Sequence, residues 1–210
     1  MEIKIGQHIL GLGHPTFIVA EMSGNHDGSF ERAIEIVRAA KRAGADAIKL
    51  QTYTADTITL NCDFDDFRLP TESPWADSAT LWDLYDEAHT PWEWHEEIVF
   101  EARKLNLEVF SSPFDETAVD FLEKLNCPAY KIASTDTNNL PFLSYVAKKK
   151  RPMIISSAMC NYDEVVEAVD TIRSEGLEDI VVCQCTGNYP SKLEDSNLRV
   201  IHKYKKEEIK

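Results

Sequence analysis

The sequence has 210 residues, which suits one domain or at most two small ones. Its 22 basic and 36 acidic residues leave a formal charge of −14, which argues against nucleic-acid or anionic-membrane binding, since both need basic surface. With 43% hydrophobic residues the chain can bury a sizeable core, yet no apolar run approaches the ~20 residues that span a bilayer.

The first sixteen residues, with Gly6, Gly11 and Gly13, predict a hairpin. FIVAE (17–21) reads as a strand, ERAIEIVRAAKRAG (31–44) as a helix stopped by Gly44, and AIKLQTY (47–53) as the next strand. A long irregular stretch over 54–90 follows, with a short helix expected at 79–88. Pro91 opens a helix over 91–106, and LEVFSSPF (107–114) is a strand. A helix over 115–126 takes Asp115 as its N-cap. Strand 129–134, helix 140–150, strand 152–158, helix 162–176 and strand 179–187 continue the pattern, with a last helix from about Asp195. That makes six strand–helix units in a single 1–210 domain. Their spacing outside the 54–90 insertion is the roughly 22–30 residues of parallel β–α units. An open doubly wound sheet and a (β/α)8 barrel both fit this alternation.

The cysteines are Cys62, Cys127, Cys160, Cys183 and Cys185. Their odd number, the lack of a C-x-x-C and the lack of a leader pattern predict reduced thiols and a cytoplasmic location.

Polar residues gather where the strands end, which is where α/β folds place their ligands. They are Glu21 with the Ser23–Gly28 turn; Lys49 and Gln51; Ser111 and Ser112; Lys131 and Ser134; Ser156 and Ser157; and Thr186 and Tyr189. Strand period 2 puts Lys49 and Gln51 on one face, with Ile48 and Leu50 on the other. A lysine in an apolar strand is costly to bury unless it meets an anion or an acid. Each lysine alone is explained as well by an internal acid such as Glu21. Two lysines among several hydroxyls favour a phosphate or carboxylate site. A small anion of that kind answers to local cations and is compatible with the net charge.

Other residues carry weaker signals. His26, in the Asn-His-Asp-Gly turn, is a ligand or acid, or simply holds the turn. His89 and His95 read as packing or surface residues. Trp75, Trp82, Trp92 and Trp94 fit a core or interface better than a sugar-facing wall. Cys183 and Cys185 share a face of a strand and read as small buried hydrophobes rather than metal ligands. Lys148–Arg151 suits the end of a helix dipole.

Seven segments in order carry a family resemblance. They are IVAEMSGNHDGS (18–29), DAIKLQTYTADTITL (46–60), PWEWH (91–95), FSSPFD (110–115), YKIAS (130–134), PMIISSAM (152–159) and CTGNYP (185–190). Together they resemble the N-terminal (β/α)8 TIM barrel of the sialic acid synthase family, and KLQTYTADT and PWEWH look most like its pseudaminic acid synthase branch. These enzymes condense phosphoenolpyruvate with an amino sugar into a nine-carbon sugar acid. The resemblance implies that Lys49 and Lys131 pair with the phosphate and carboxylate of phosphoenolpyruvate, and that Ser112, Ser134 and Ser156 donate hydrogen bonds to it. It implies Glu21 as the active-site acid, and Gln51, Tyr189 and Asp136 near the sugar, Asp136 standing where the family usually has glutamate. It further implies a divalent cation, manganese or magnesium, acting as a Lewis acid on the aldehyde.

The family barrel has eight strands, and six are expected here. The Ser-Asp-His and Glu-Lys-His type motifs of strands seven and eight, whose histidines hold the metal, do not occur, nor does the C-terminal antifreeze-like domain. Ala158 and Gly187 also depart from the family pattern. The expectation is an incomplete barrel, inactive by itself and homo-oligomeric or completed by a second chain. A non-catalytic anion-binding or assembly protein is one alternative. A Schiff-base aldolase using Lys131 is another.

Overall fold

A computed structural model describes residues 2–71, 73, 75, 78–188 and 191–206. The chain divides into two compact units, Phe17–Ala118 and Met1–Thr16 with Val119–Lys210.

In the unit Phe17–Ala118, strands β3 (Val19–Glu21), β4 (Ala47–Thr52) and β5 (Glu108–Pro113) pair in parallel in chain order. Glu21 pairs with Lys49, and Gln51 with Ser112, in the Cα register. Helix α1 (Phe30–Arg42) is capped by the Ser29 hydroxyl, which accepts from Arg32 N. Gly44, at φ 86°, ends it in a conformation that glycine adopts without cost. The 54–90 stretch holds a short α2 (Ala55–Ile58), a 3-10 turn (Asp65–Phe67) and α3 (Leu81–Ala88). The helix expected from Pro91 begins as a 3-10 turn (Trp92–Trp94) and becomes α4 (His95–Lys104) at His95. Val37, Ile48, Leu50, Ile98, Ala102 and Val109 form the buried interior of this unit.

In the other unit, β1 (Ile3–Ile5) and β2 (His8–Leu10) form an antiparallel hairpin, turning at Gly6 with φ 57°. The division between the units falls within helix α5 (Glu116–Lys124), which begins after Asp115, whose carboxylate accepts from Ala118 N and Thr117 N. Strands β6 (Tyr130–Ile132), β7 (Met153–Ser156) and β8 (Ile180–Cys183) are parallel and again follow chain order. Helices α6 (Leu140–Ala147), α7 (Tyr162–Ser174) and α8 (Val200–Lys206) alternate with them. The core comprises Leu122, Tyr130, Ile132, Leu143, Val146, Met153, Ile155, Val169, Ile172 and Ile180.

Several boundaries differ from expectation, three of them at residues that the sequence singles out. β6 stops at Ile132, and Ser134–Asp136 forms a 3-10 turn. β8 stops at Cys183, so Cys183 and Cys185 do not share a strand, and both are half-buried. The Gln184 amide donates to the carbonyls of Cys185 and Ser196, which draws the backbone away from the ladder. α6 ends at Ala147, and Lys148–Arg151 lie beyond it, with Lys150 at φ 58°. Ion pairs hold three of them: Lys148 with Glu175, Lys149 with Asp120 and Arg151 with Glu123.

Helix α7 starts on a reciprocal cap. Asn161 accepts from Glu164 N, and the Glu164 carboxylate accepts from Asn161 N at 2.7 Å. Asn161→Ala is expected to cost about 1 kcal/mol in urea unfolding.

Candidate functional site

In the unit Phe17–Ala118, parallel pairing places Glu21, the last residue of β3, beside Lys49, the third of six residues in β4. Lys49 Nζ lies 2.8 Å from Glu21 Oε2 and 3.4 Å from Ser112 Oγ. The lysine side chain is 8% exposed and the glutamate 56%, so a buried cation meets a carboxylate open to solvent. Lys49 therefore has the internal acid that one reading expected, and that acid is open to solvent. Gln51, half-buried, pairs in register with Ser112 on the neighbouring strand.

In the other unit, Lys131 Nζ donates to Ser156 Oγ and to the Ile132 carbonyl. Register brings Lys131 opposite Ile154, two residues before Ser156. Cys185 Sγ lies 3.6 Å from the same Ser156 hydroxyl, and Thr137 Oγ1 donates to the Ser156 carbonyl at 2.7 Å. The turn Ser134–Asp136 follows β6 directly. Burial raises the Asp136 carboxyl above its ordinary value, and a hydrogen bond from Thr135 works against that rise. Tyr189 lies outside the described residues.

Sequence reading missed one polar cluster. His95, Thr52 and Ser111 are fully buried and linked. His95 Nδ1 faces the Pro91 carbonyl at 3.2 Å, which can only accept, so Nδ1 carries a proton. Burial lowers the His95 pKa to about 4, leaving the ring neutral, with Nε2 as an acceptor. Thr52 Oγ1 therefore donates to Nε2 over 3.0 Å, and Ser111 Oγ donates to Thr52 over 2.7 Å. The cluster ties β4, β5 and α4 together on the strand face opposite Gln51 and Ser112. The available signal was Thr52 and Ser111 occupying positions where period 2 demands helix-facing apolar residues.

His26 proves to be a turn residue. It is fully buried, accepts from Gly28 N at Nδ1, and meets Thr90 Oγ1 at 3.0 Å through Nε2. Burial, with the nearby His89, lowers its pKa. Trp94 packs edge-on against His26 and Phe30, Trp92 donates to the Tyr53 carbonyl, Trp82 donates to Asp56, and Trp75 is half-exposed.

Parallel strands alternating with helices and polar residues at the strand ends define an α/β protein of the (β/α)8 TIM-barrel type, incomplete at six β–α units. The solved SpsE spore coat polysaccharide biosynthesis protein of Bacillus subtilis superposes with a TM-score of 0.80 at 35% identity, covering 96% of this chain and 52% of that one. The N-acetylneuraminic acid synthetase of Leptospira borgpetersenii gives a TM-score of 0.84 at 25% identity, covering 99% and 67%. Residues 36–208 match the NeuB family, and the chain belongs to that family. It is 43% identical to the pseudaminic acid synthase of Campylobacter jejuni over 88% of this chain and 53% of the relative. It is 35% identical to the N-acetylneuraminate-9-phosphate synthase of Mus musculus over 94% and 54%. The chain thus spans about half the length of these curated relatives.

Proposed function

We propose that the chain serves the condensation of phosphoenolpyruvate with an amino sugar to a nine-carbon sugar acid, as part of a carbon–carbon bond-forming synthase of glycan biosynthesis. The observation that carries this reading is Lys49, a nearly buried ammonium on β4, held between the Glu21 carboxylate and the Ser112 hydroxyl. Such a cation is pre-oriented for an anion and needs little rearrangement to receive one. Lys49 with Ser112, and Lys131 with Ser134 and Ser156, supply the cations and hydroxyl donors for the phosphate and the carboxylate. Glu21 holds the Lys49 ammonium and is placed to orient or exchange a proton with the reacting groups. Gln51, Asp136 and Tyr189 address the sugar. In the proposed reaction C3 of phosphoenolpyruvate attacks the sugar aldehyde, water adds at C2, and phosphate leaves with C–O cleavage.

The resemblance implies a divalent cation. Among the described residues no group of three or more His, Cys, Asp or Glu side chains could hold one, so no step is routed through a metal. No helix among them is long and apolar enough to cross a membrane.

Titration calorimetry with phosphoenolpyruvate tests the proposal. Lys131→Ala should weaken binding by about 1.5–3 kcal/mol. Absence of any binding by the wild-type chain removes the reading. Phosphate release with an amino sugar and manganese, run on the same protein, is expected to stay at background for these 210 residues alone.

A further inference from the structure

Strands β6 and β7 pair in parallel as far as Ile132 and Ile155. β7 runs one residue further, to Ser156, while the chain after Ile132 leaves the sheet and forms the Ser134–Asp136 turn. The Ser156 carbonyl therefore lies beyond the last paired residue of β6. A side chain meets it there: Thr137 Oγ1 donates to it at 2.7 Å.

Thr137 closes the turn and is fully buried. A threonine in such a place can turn its hydroxyl back to the carbonyl four residues earlier. That carbonyl, of Ala133, lies 3.3 Å away, the longer of the two distances. A hydroxyl has a single proton to give, and the shorter contact takes it. The bond thus fastens the turn after β6 to the end of β7, segments that lie 19 residues apart in the chain.

Both segments carry groups of the proposed anion site. On β7, the Ser156 hydroxyl receives the Lys131 ammonium and has Cys185 Sγ 3.6 Å away. In the turn stand Ser134 and Asp136, both half-buried. A shift of the turn against β7 changes the spacing between Ser134 on one side and the Lys131–Ser156 pair on the other. Thr137 offers no surface to a ligand, so it acts through these neighbours. An apolar residue of the same shape would take this donor from the Ser156 carbonyl, which would turn toward another partner or toward water.

We infer, resting on the function proposed above, that Thr137 is a positioning residue: its buried hydroxyl sets the Lys131–Ser156 pair against the Ser134–Asp136 turn at the spacing that receives the anion.

The test compares Thr137→Val, which keeps the volume and removes the hydroxyl, with Thr137→Ser, which keeps the hydroxyl, each in the whole chain. Three quantities are read where unfolding curves show every protein to be folded. They are phosphoenolpyruvate affinity, the Lys131 Cε–H NMR signal assigned through Lys131→Ala, and the titration of the Asp136 carboxyl followed by NMR. Burial holds that carboxyl above its ordinary value, so a turn released toward water should bring it down. Thr137→Val is expected to weaken binding about tenfold, to move the Lys131 signal and to lower the Asp136 titration. Thr137→Ser should bind within about twofold of wild type, with both signals as in wild type. A threonine that serves only the fold would lower the unfolding midpoint of the valine variant and leave Lys131 and Asp136 unmoved. The inference falls if either signal stays at its wild-type position in Thr137→Val, if affinity is unchanged where wild type binds, or if serine does no better than valine. Should Thr137→Val not fold, Thr137→Cys, of similar size and only a weak donor, takes its place. Absence of phosphoenolpyruvate binding by wild type sinks the proposed function, and the Lys131 and Asp136 signals then decide the role of Thr137.

Discussion

His95→Ala is expected to lose about 3–5 kcal/mol of folding stability in urea titrations at pH 7.5. Two costs add. The missing ring leaves a cavity beneath α4, and it takes one partner from the fully buried Thr52 hydroxyl and one from the half-buried Pro91 carbonyl. Domains of this size commonly have only ~5–15 kcal/mol in total, so the variant should lie near the edge of folding. His95→Gln keeps one donor and one acceptor and should lose clearly less.

The same residue sets an acid limit. Burial holds the folded-state pKa of His95 near 4, against about 6.5 in an unfolded chain. Between these values the unfolded state binds more protons, so stability is fully present above pH 6.5 and falls as pH drops toward 4. The loss contributed by His95 is about 3 kcal/mol once pH reaches 4. His26, whose pKa is also lowered by burial, acts in the same direction. Stability measured from pH 7.5 to 4.5 should show this slope in wild type and a shallower one in His95→Gln. Equal slopes in the two proteins would refute the assignment.

Lys49→Met should separate binding from folding. The ammonium is nearly buried, and its carboxylate partner is half in water, so their attraction recovers only part of the cost of burial. Methionine has similar length and no charge. The variant should keep wild-type stability or gain about 1 kcal/mol. Its affinity for phosphoenolpyruvate should fall by about 2–3 kcal/mol, roughly 30- to 150-fold. Lys49→Arg should not restore binding, because the longer, planar group does not fit between Glu21 and Ser112. A large loss of stability in Lys49→Met would show that the lysine serves the fold.

Much of the fold was legible because local chemistry marked it. Gly44 and Gly176 stop α1 and α7 with φ of 86° and 75°, and the Asp115 carboxylate caps α5. Period 2 put Lys49 and Gln51 on one face, and the strand-end rule collected the site residues. What sequence could not show depends on register. Glu21 meets Lys49 because β3 and β4 pair in step, and Lys131 reaches Ser156 because Lys131 pairs with Ile154. The end of β8 was illegible because Gln184 and Cys185 are compatible with a strand. A side chain bound to the Ser196 carbonyl, twelve residues on, draws them out of it. Ser111 was grouped with the strand-end polar residues and His95 read as packing or surface, since only tertiary packing joins them with Thr52 into a closed set of partners.

The 54–90 segment has a kinetic meaning. β4 must wait for the whole insertion before it finds β5, whereas β6 meets β7 after one helix. Closing a loop costs about 0.6 kcal/mol more for each doubling of length, and this one is between one and two doublings longer. The equilibrium penalty is therefore about 1 kcal/mol, while the slower encounter makes β4–β5 closure later than β6–β7 closure when the whole chain refolds. A segment that is cheap in free energy and closes late can change in length and sequence without disturbing the strands it joins. It is the part of this chain most open to divergence and to the insertion of foreign sequence.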